Sequence, residues 1–138
     1  MVLNTNIHKS IMLQILKDIY TDAGIGPILG FKGGSAALLF YGLPRFSVDL
    51  DFDLLRLDQA EYVRKRLEEI ISAYGTIKEN SQKKYTVLLR ILYDDRAQNI
   101  KLEVNLRSFG SQFTVRNYLG IAMKVMIQAD MAAHKLVA

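Results

Sequence analysis

Between residues 6 and 22 apolar side chains return every three to four positions, at Ile7, Ile11, Ile15 (or Leu16) and Ile19, which predicts an amphipathic helix. The period then changes. A short apolar run near 28–32 reads as a buried strand, and residues 34–42, rich in Ala and Leu, read as an apolar helix. Residues 48–55 alternate strictly, with Leu50, Phe52 and Leu54 on one face and Asp49, Asp51 and Asp53 on the other. Asp58 and Glu61 stand at N-cap and N3 spacing and open a predicted helix running through Ala73, which Gly75 would end. Its buried side is expected to be Ala60, Val63, Leu67, Ile70 or Ile71, and Tyr74.

Alternation resumes over 84–93, with Tyr85, Val87, Leu89, Ile91 and Tyr93 on one face, and after a polar hairpin loop at 94–99 it continues over 100–107. In that second strand Lys101, Glu103, Asn105 and Arg107 share the polar face. Residues 120–127 suggest a further strand, and 129–138 a terminal helix. The order of elements is mixed, so the fold class is α/β (α+β): a mixed β-sheet flanked by helices.

Composition narrows this picture. The chain has 138 residues, 50% hydrophobic and 23% charged, the size and balance of one domain with a single core. No apolar run approaches the roughly 20 residues of a membrane span, and the N-terminus lacks the apolar segment of a secretory signal. The chain has no cysteine, which excludes disulfide stapling and accords with a cytoplasmic location. Net charge is +4 and uneven: residues 1–74 hold eight basic and nine acidic side chains, residues 75–138 ten and five. That asymmetry suits a polyanionic partner such as RNA, but there is no arginine-rich tract and no aromatic RNA-binding signature.

The candidate chemistry lies where the second strand follows the glycine pair. Gly33 and Gly34 allow a sharp turn and close approach of a ligand to the backbone. Ser35 begins the apolar helix, whose N-terminal N–H groups suit an anionic phosphate. Three acids on one strand face repel each other, and neither packing nor stability asks for them. Magnesium relieves that repulsion, because it takes one or two carboxylates together with phosphate oxygens and water. Each piece has an ordinary structural reading, a turn and a solvated strand face; their succession favours a site. Glu103 has, on its own, the ordinary reading of a solvated acid on an exposed strand face. His8 and His134 have no second ligand at metal-binding spacing.

The run from Phe31 through Gly33-Gly34-Ser35 and Pro44-Arg45-Phe46-Ser47 to Asp49-Leu50-Asp51-Phe52 resembles the signature of the AbiEii/AbiGii-type nucleotidyltransferase toxins. That family lies within the polymerase-beta-like nucleotidyltransferase superfamily. The resemblance implies a nucleotidyltransferase-like mixed sheet, a Gly34-Ser35 phosphate grip, metal-binding acids at Asp49 and Asp51, and a third acid at Glu103. It also implies Mg2+ (or Mn2+) as cofactor, an NTP as substrate and an RNA acceptor with the tRNA 3′ end leading. A small-molecule or protein acceptor, or a nucleotide-binding domain without turnover, are the alternatives. A cognate antitoxin is a possible partner in a toxin–antitoxin or abortive-infection system. Arg45 and Ser47 would join the site, with Arg45 touching phosphate, and Lys135 in the terminal helix would face the nucleotide phosphates. On residue chemistry alone, Arg45 is equally an exposed turn and Lys135 a solvated helix lysine. Related enzymes continue beyond this helix, so the chain is expected to be a single catalytic domain cut short at its C-terminus.

Overall fold

A computed structural model describes residues 5–42, 49–93, 98–107 and 110–137. Four helices and seven strands follow one another as α1 (Thr5–Tyr20), β1 (Leu29–Lys32), α2 (Gly33–Phe40), β2 (Asp49–Leu54), α3 (Ala60–Ile71), β3 (Thr76–Gln82), β4 (Thr86–Leu92), β5 (Asn99–Asn105), β6 (Phe113–Tyr118), β7 (Ile121–Met126) and α4 (Gln128–Val137). The strands form one mixed sheet in the order β3-β4-β5-β2-β1-β7-β6. Two neighbour pairs are parallel, β2 with β5 and β1 with β7, and the others are antiparallel. Among the described residues no helix is long and apolar enough to cross a membrane.

Alternation builds the core. Leu50 and Phe52 of β2, Val87, Leu89 and Ile91 of β4, and Ile100, Leu102 and Val104 of β5 are all fully buried on one face of the sheet. The same core takes Met12, Ile15, Leu16 and Ile19 of α1 and Val63, Leu67, Ile70 and Ile71 of α3. Burying each such side chain contributes on the order of 2 kcal/mol, and this is what holds the helices to the sheet. The opposite face carries the acids.

Several local expectations differ from the structure. Ile7 is 51% exposed, and the buried stripe of α1 takes in His8 and Met12 beside the expected Ile15, Leu16 and Ile19. His8 is an internal residue whose Nδ1 lies 2.7 Å from the Tyr93 hydroxyl. The Asp58–Glu61 capping box does not form: Leu57–Gln59 is a short 3-10 turn and α3 starts at Ala60 without a side-chain cap. Both acids instead pair with arginines, Asp58 with Arg56 and Glu61 with Arg64. Tyr85 is 43% exposed, because β4 begins one residue later, beyond the cover of the helices. The hairpin loop between β4 and β5 falls largely outside the described residues, although the antiparallel register of the two strands agrees with it.

Both edge strands, β3 and β6, escaped the hydrophobic pattern. β3 reads Thr-Ile-Lys-Glu-Asn-Ser-Gln, and four successive residues of β6 are exposed. An edge strand needs only one pairing neighbour and buries little, so polar residues serve it well. β6 is anchored by one close fit: the Phe113 ring lies where a side chain at Gly30 of β1 would stand, within 2.3–2.7 Å of a Cβ placed there. At the β6–β7 turn Leu119 (φ 51°) and Gly120 (φ 81°) both adopt left-handed backbone, the signature of a tight two-residue hairpin.

Candidate active site

The site is assembled where β1 ends and α2 begins. Lys32 pairs across the sheet with Asp51, so the chain leaves β1 directly beside that acid. Gly33 turns it with φ 80°, and a Cβ there would come within 2.6 Å of Asp51 Oδ2. Glycine is thus required twice, for the left-handed turn and for the space against the carboxylate. Ser35, in the first turn of α2, is buried and its hydroxyl donates to the backbone carbonyl of Asp49. A hydroxyl carries one hydrogen, so while it serves Asp49 it does not donate to a phosphate. In this arrangement Ser35 ties the glycine turn to the acid strand, and the backbone N–H groups are what the turn offers to an anion.

Parallel pairing of β2 with β5 lines up the polar face row by row: Asp49 opposite Lys101, Asp51 opposite Glu103, Asp53 opposite Asn105. Asp49, Asp51 and Glu103, expected together, are therefore on adjacent strands and the same face. Their environments are unequal. Asp51 is the deepest; burial, then the charges of Glu103 and Asp49, push its carboxyl up to about 6, while Lys101 and Lys32 pull it back. The Asp49 and Glu103 side chains are more than a third exposed. Asp53 is not part of this group: it is 5% exposed and ion-paired to Lys32 at 2.6 Å, off the direction of an aligned hydrogen bond.

Two lysines that the sequence pattern did not single out complete the local charge balance. Lys32 holds Asp53, and Lys101 stands 3.7 Å from Asp49 Oδ2 and 3.9 Å from Glu103 Oε2. The signal for Lys101 was its position two residues before Glu103, which alternation puts on the same face. Carboxylate oxygens are the donors magnesium prefers, so the acids fit such an ion in kind. In spacing they stand apart: among the described residues no three His, Asp or Glu side chains are grouped closely enough to hold one. The Lys101 ammonium between two of them marks where positive charge is wanted. Arg45 and Ser47 lie outside the described residues. Lys135 lies within α4, but its side chain is likewise outside what is described.

The family model described as "Nucleotidyl transferase AbiEii toxin, Type IV TA system" matches residues 14–138 of the chain. No curated protein sequence matches it. Among solved structures, a Helicobacter pylori protein assigned as a candidate nucleotidyltransferase superposes with TM-score 0.70 at 23% identity, over 100% of this chain and 60% of that one. MenT4, a nucleotidyltransferase toxin from Mycobacterium tuberculosis, gives TM-score 0.62 at 18% identity, over 96% of this chain and 52% of that one. A Thermotoga maritima protein of the same assignment gives TM-score 0.62 at 12% identity, over 99% of this chain and 86% of that one. At these identities the likeness is one of fold, the mixed nucleotidyltransferase sheet. The chain spans little more than half the length of the two larger proteins.

Proposed function

Since the chain belongs to the AbiEii nucleotidyltransferase toxin family, we propose that it moves a nucleoside monophosphate from an NTP to a hydroxyl of an RNA acceptor, with the tRNA 3′ end the leading candidate. The observation that carries this reading is the coupling of the Gly33 turn to Asp51, with Asp49, Asp51 and Glu103 on one face of two parallel strands. The reaction forms a bond from the acceptor oxygen to the α-phosphorus and breaks the bond from that phosphorus to the bridging oxygen. Pyrophosphate leaves and the acceptor hydroxyl loses its proton. Positioning and charge neutralisation are the main demands of such a transfer.

Backbone N–H groups at the start of α2 suit the β- and γ-phosphates, and Ser35 keeps that turn against β2. Asp49, Asp51 and Glu103 would hold Mg2+ or Mn2+, which supplies charge neutralisation at the triphosphate and lowers the pKa of the attacking hydroxyl. By the family resemblance Arg45 and Lys135 would add positive charge for the phosphates, and Ser47 would join the site. A cognate antitoxin fits the toxin family as partner.

The test is incubation with each α-labelled NTP, magnesium or manganese, and total cellular RNA, beside an Asp49→Ala/Asp51→Ala variant. A labelled RNA band absent from the variant is the expected result and identifies the base. Label on protein or small molecules would remove RNA from the reading and leave the chemistry. A variant as active as the wild type would remove the two acids.

A further inference from the structure

The in-line geometry of phosphoryl transfer constrains where the acceptor enters. The attacking oxygen and the departing pyrophosphate lie on opposite sides of the α-phosphorus. The glycine turn is at one end of the carboxylate rows, beside Asp49 and Asp51. The acceptor then approaches from the other end, where β2 and β5 run on to Asp53 and Asn105.

A distinct surface stands there. Asn105 pairs with Thr86, and the Leu106 N–H donates to the Tyr85 carbonyl at 2.7 Å, which brings the end of β5 against the tip of the β3–β4 hairpin. That tip is Lys83-Lys84-Tyr85, closed by the Lys83 N–H donating to the Thr86 carbonyl at 2.8 Å. All three of these side chains and Arg107 are exposed. The Arg107 guanidinium lies 4.6 Å from the Tyr85 ring centre and the Lys84 ammonium 5.1 Å from it. From residue 80 to residue 93 the chain has three basic side chains and no acid. Arg107 stands just past the end of β5, where the chain bends and its N–H donates to Asn105 Oδ1 at 2.9 Å, at the same end of the carboxylate rows as the hairpin tip.

We propose that the hairpin tip Lys83-Lys84-Tyr85, with Arg107, is the surface that seats the single-stranded end of the RNA acceptor, its phosphates on the cations and an unpaired base stacked on the Tyr85–Arg107 pair. Aromatic rings and guanidinium planes stack on any base, and neighbouring lysines hold the backbone. The inference rests on the reading of the carboxylate rows as a nucleotidyl-transfer centre with an RNA acceptor, and it assigns NTP and RNA to opposite ends of those rows.

The test measures RNA binding and nucleotide binding separately on the full chain. A short fluorescein-labelled single-stranded RNA with a free 3′ hydroxyl is titrated by anisotropy against wild type, Lys84→Glu, Tyr85→Ala and Arg107→Glu. Lys65→Glu, an exposed lysine of α3, serves as the charge control. Binding of α-labelled NTP is followed in parallel by equilibrium dialysis, and melting curves verify the fold. The expected result is RNA affinity about tenfold weaker in the three tip variants, unchanged in Lys65→Glu, with NTP binding unchanged throughout. If Arg107→Glu melts early, the exposed Lys84→Glu and Tyr85→Ala carry the decision. Wild-type RNA affinity in those two overturns the surface and leaves RNA transfer standing. Equal losses in Lys65→Glu overturn it in favour of diffuse charge. No RNA binding by a wild type that binds NTP overturns the surface and RNA as acceptor together.

Discussion

Asp51 is where burial and neighbouring charge meet, and its behaviour follows from both. With a folded value of about 6 against an ordinary 3.8, the protonated form is favoured in the folded state. That contribution is fully present below the ordinary value and is lost as pH rises from about 4 through about 6. The metal-free protein is therefore expected to lose on the order of 2 kcal/mol from this group between pH 4 and pH 7. Asp51→Asn should remove that slope and be the more stable protein at pH 7, read by urea unfolding at both pH values. An identical slope in the variant would mean that Asp51 does not titrate as its surroundings demand. Lys101 offsets the same repulsion from the other side, pairing with Asp49 and Glu103. A divalent cation would have to share that space. Lys101→Met should bind Mn2+ several-fold more tightly without nucleotide, measured from the free-ion EPR signal, because one competing positive charge is gone. Weaker Mn2+ binding would show that the lysine orients the acids rather than competes.

The elements differ in how plainly the chain announces them. β2, β4 and β5 were legible because one face is apolar at every second residue, and the acids' shared face followed from the same alternation. Glu103 could be placed opposite the aspartates only as an expectation, since alternation sets a face and not a neighbour; the parallel register of β2 and β5 supplies the neighbour. Ser35 shows the reverse limit. Its place at the head of α2 was readable, but not that its hydroxyl turns inward to Asp49, because a side-chain hydrogen bond to a distant backbone leaves no periodic trace. β3 and β6 were silent for want of a buried face. The turn beyond β6 carries an avoidable cost. Leu119 holds φ 51° at 78% exposure, so it has backbone strain and no packing in return. Leu119→Gly is expected to stabilise the protein by about 1 kcal/mol, seen as a higher melting temperature. A lower one would mean that the leucine has partners in solution that outweigh its backbone.

At the scale of the whole molecule, charge and topology divide the labour. The acidic site draws on the N-terminal half, and the excess of basic residues on the C-terminal half, with β5 bringing Glu103 from the second into the first. A ligand that binds only the folded sheet must raise global stability, because neither half makes the carboxylate rows alone. Magnesium with the correct NTP, at a hundred times its dissociation constant, should stabilise the chain by about 2.7 kcal/mol. Asp49→Ala should abolish the increment and keep its own unliganded melting point. An NTP-dependent increment that survives in the variant would place nucleotide binding elsewhere.

The contact between Gly30 and Phe113 joins positions 83 residues apart in the chain. It makes the two substitutable only as a pair. Gly30→Ala alone drives a methyl into an aromatic ring, and Phe113→Ala alone opens a void over the sheet. Made together, each change occupies or vacates what the other leaves, so the double variant should be more stable than the sum of the single losses, with a coupling of about 1 kcal/mol or more. Strictly additive losses would show that the edge hairpin simply swings away. A lineage in which one position drifts is therefore held back until the other has moved, and the order of those two steps is itself constrained by a single ring.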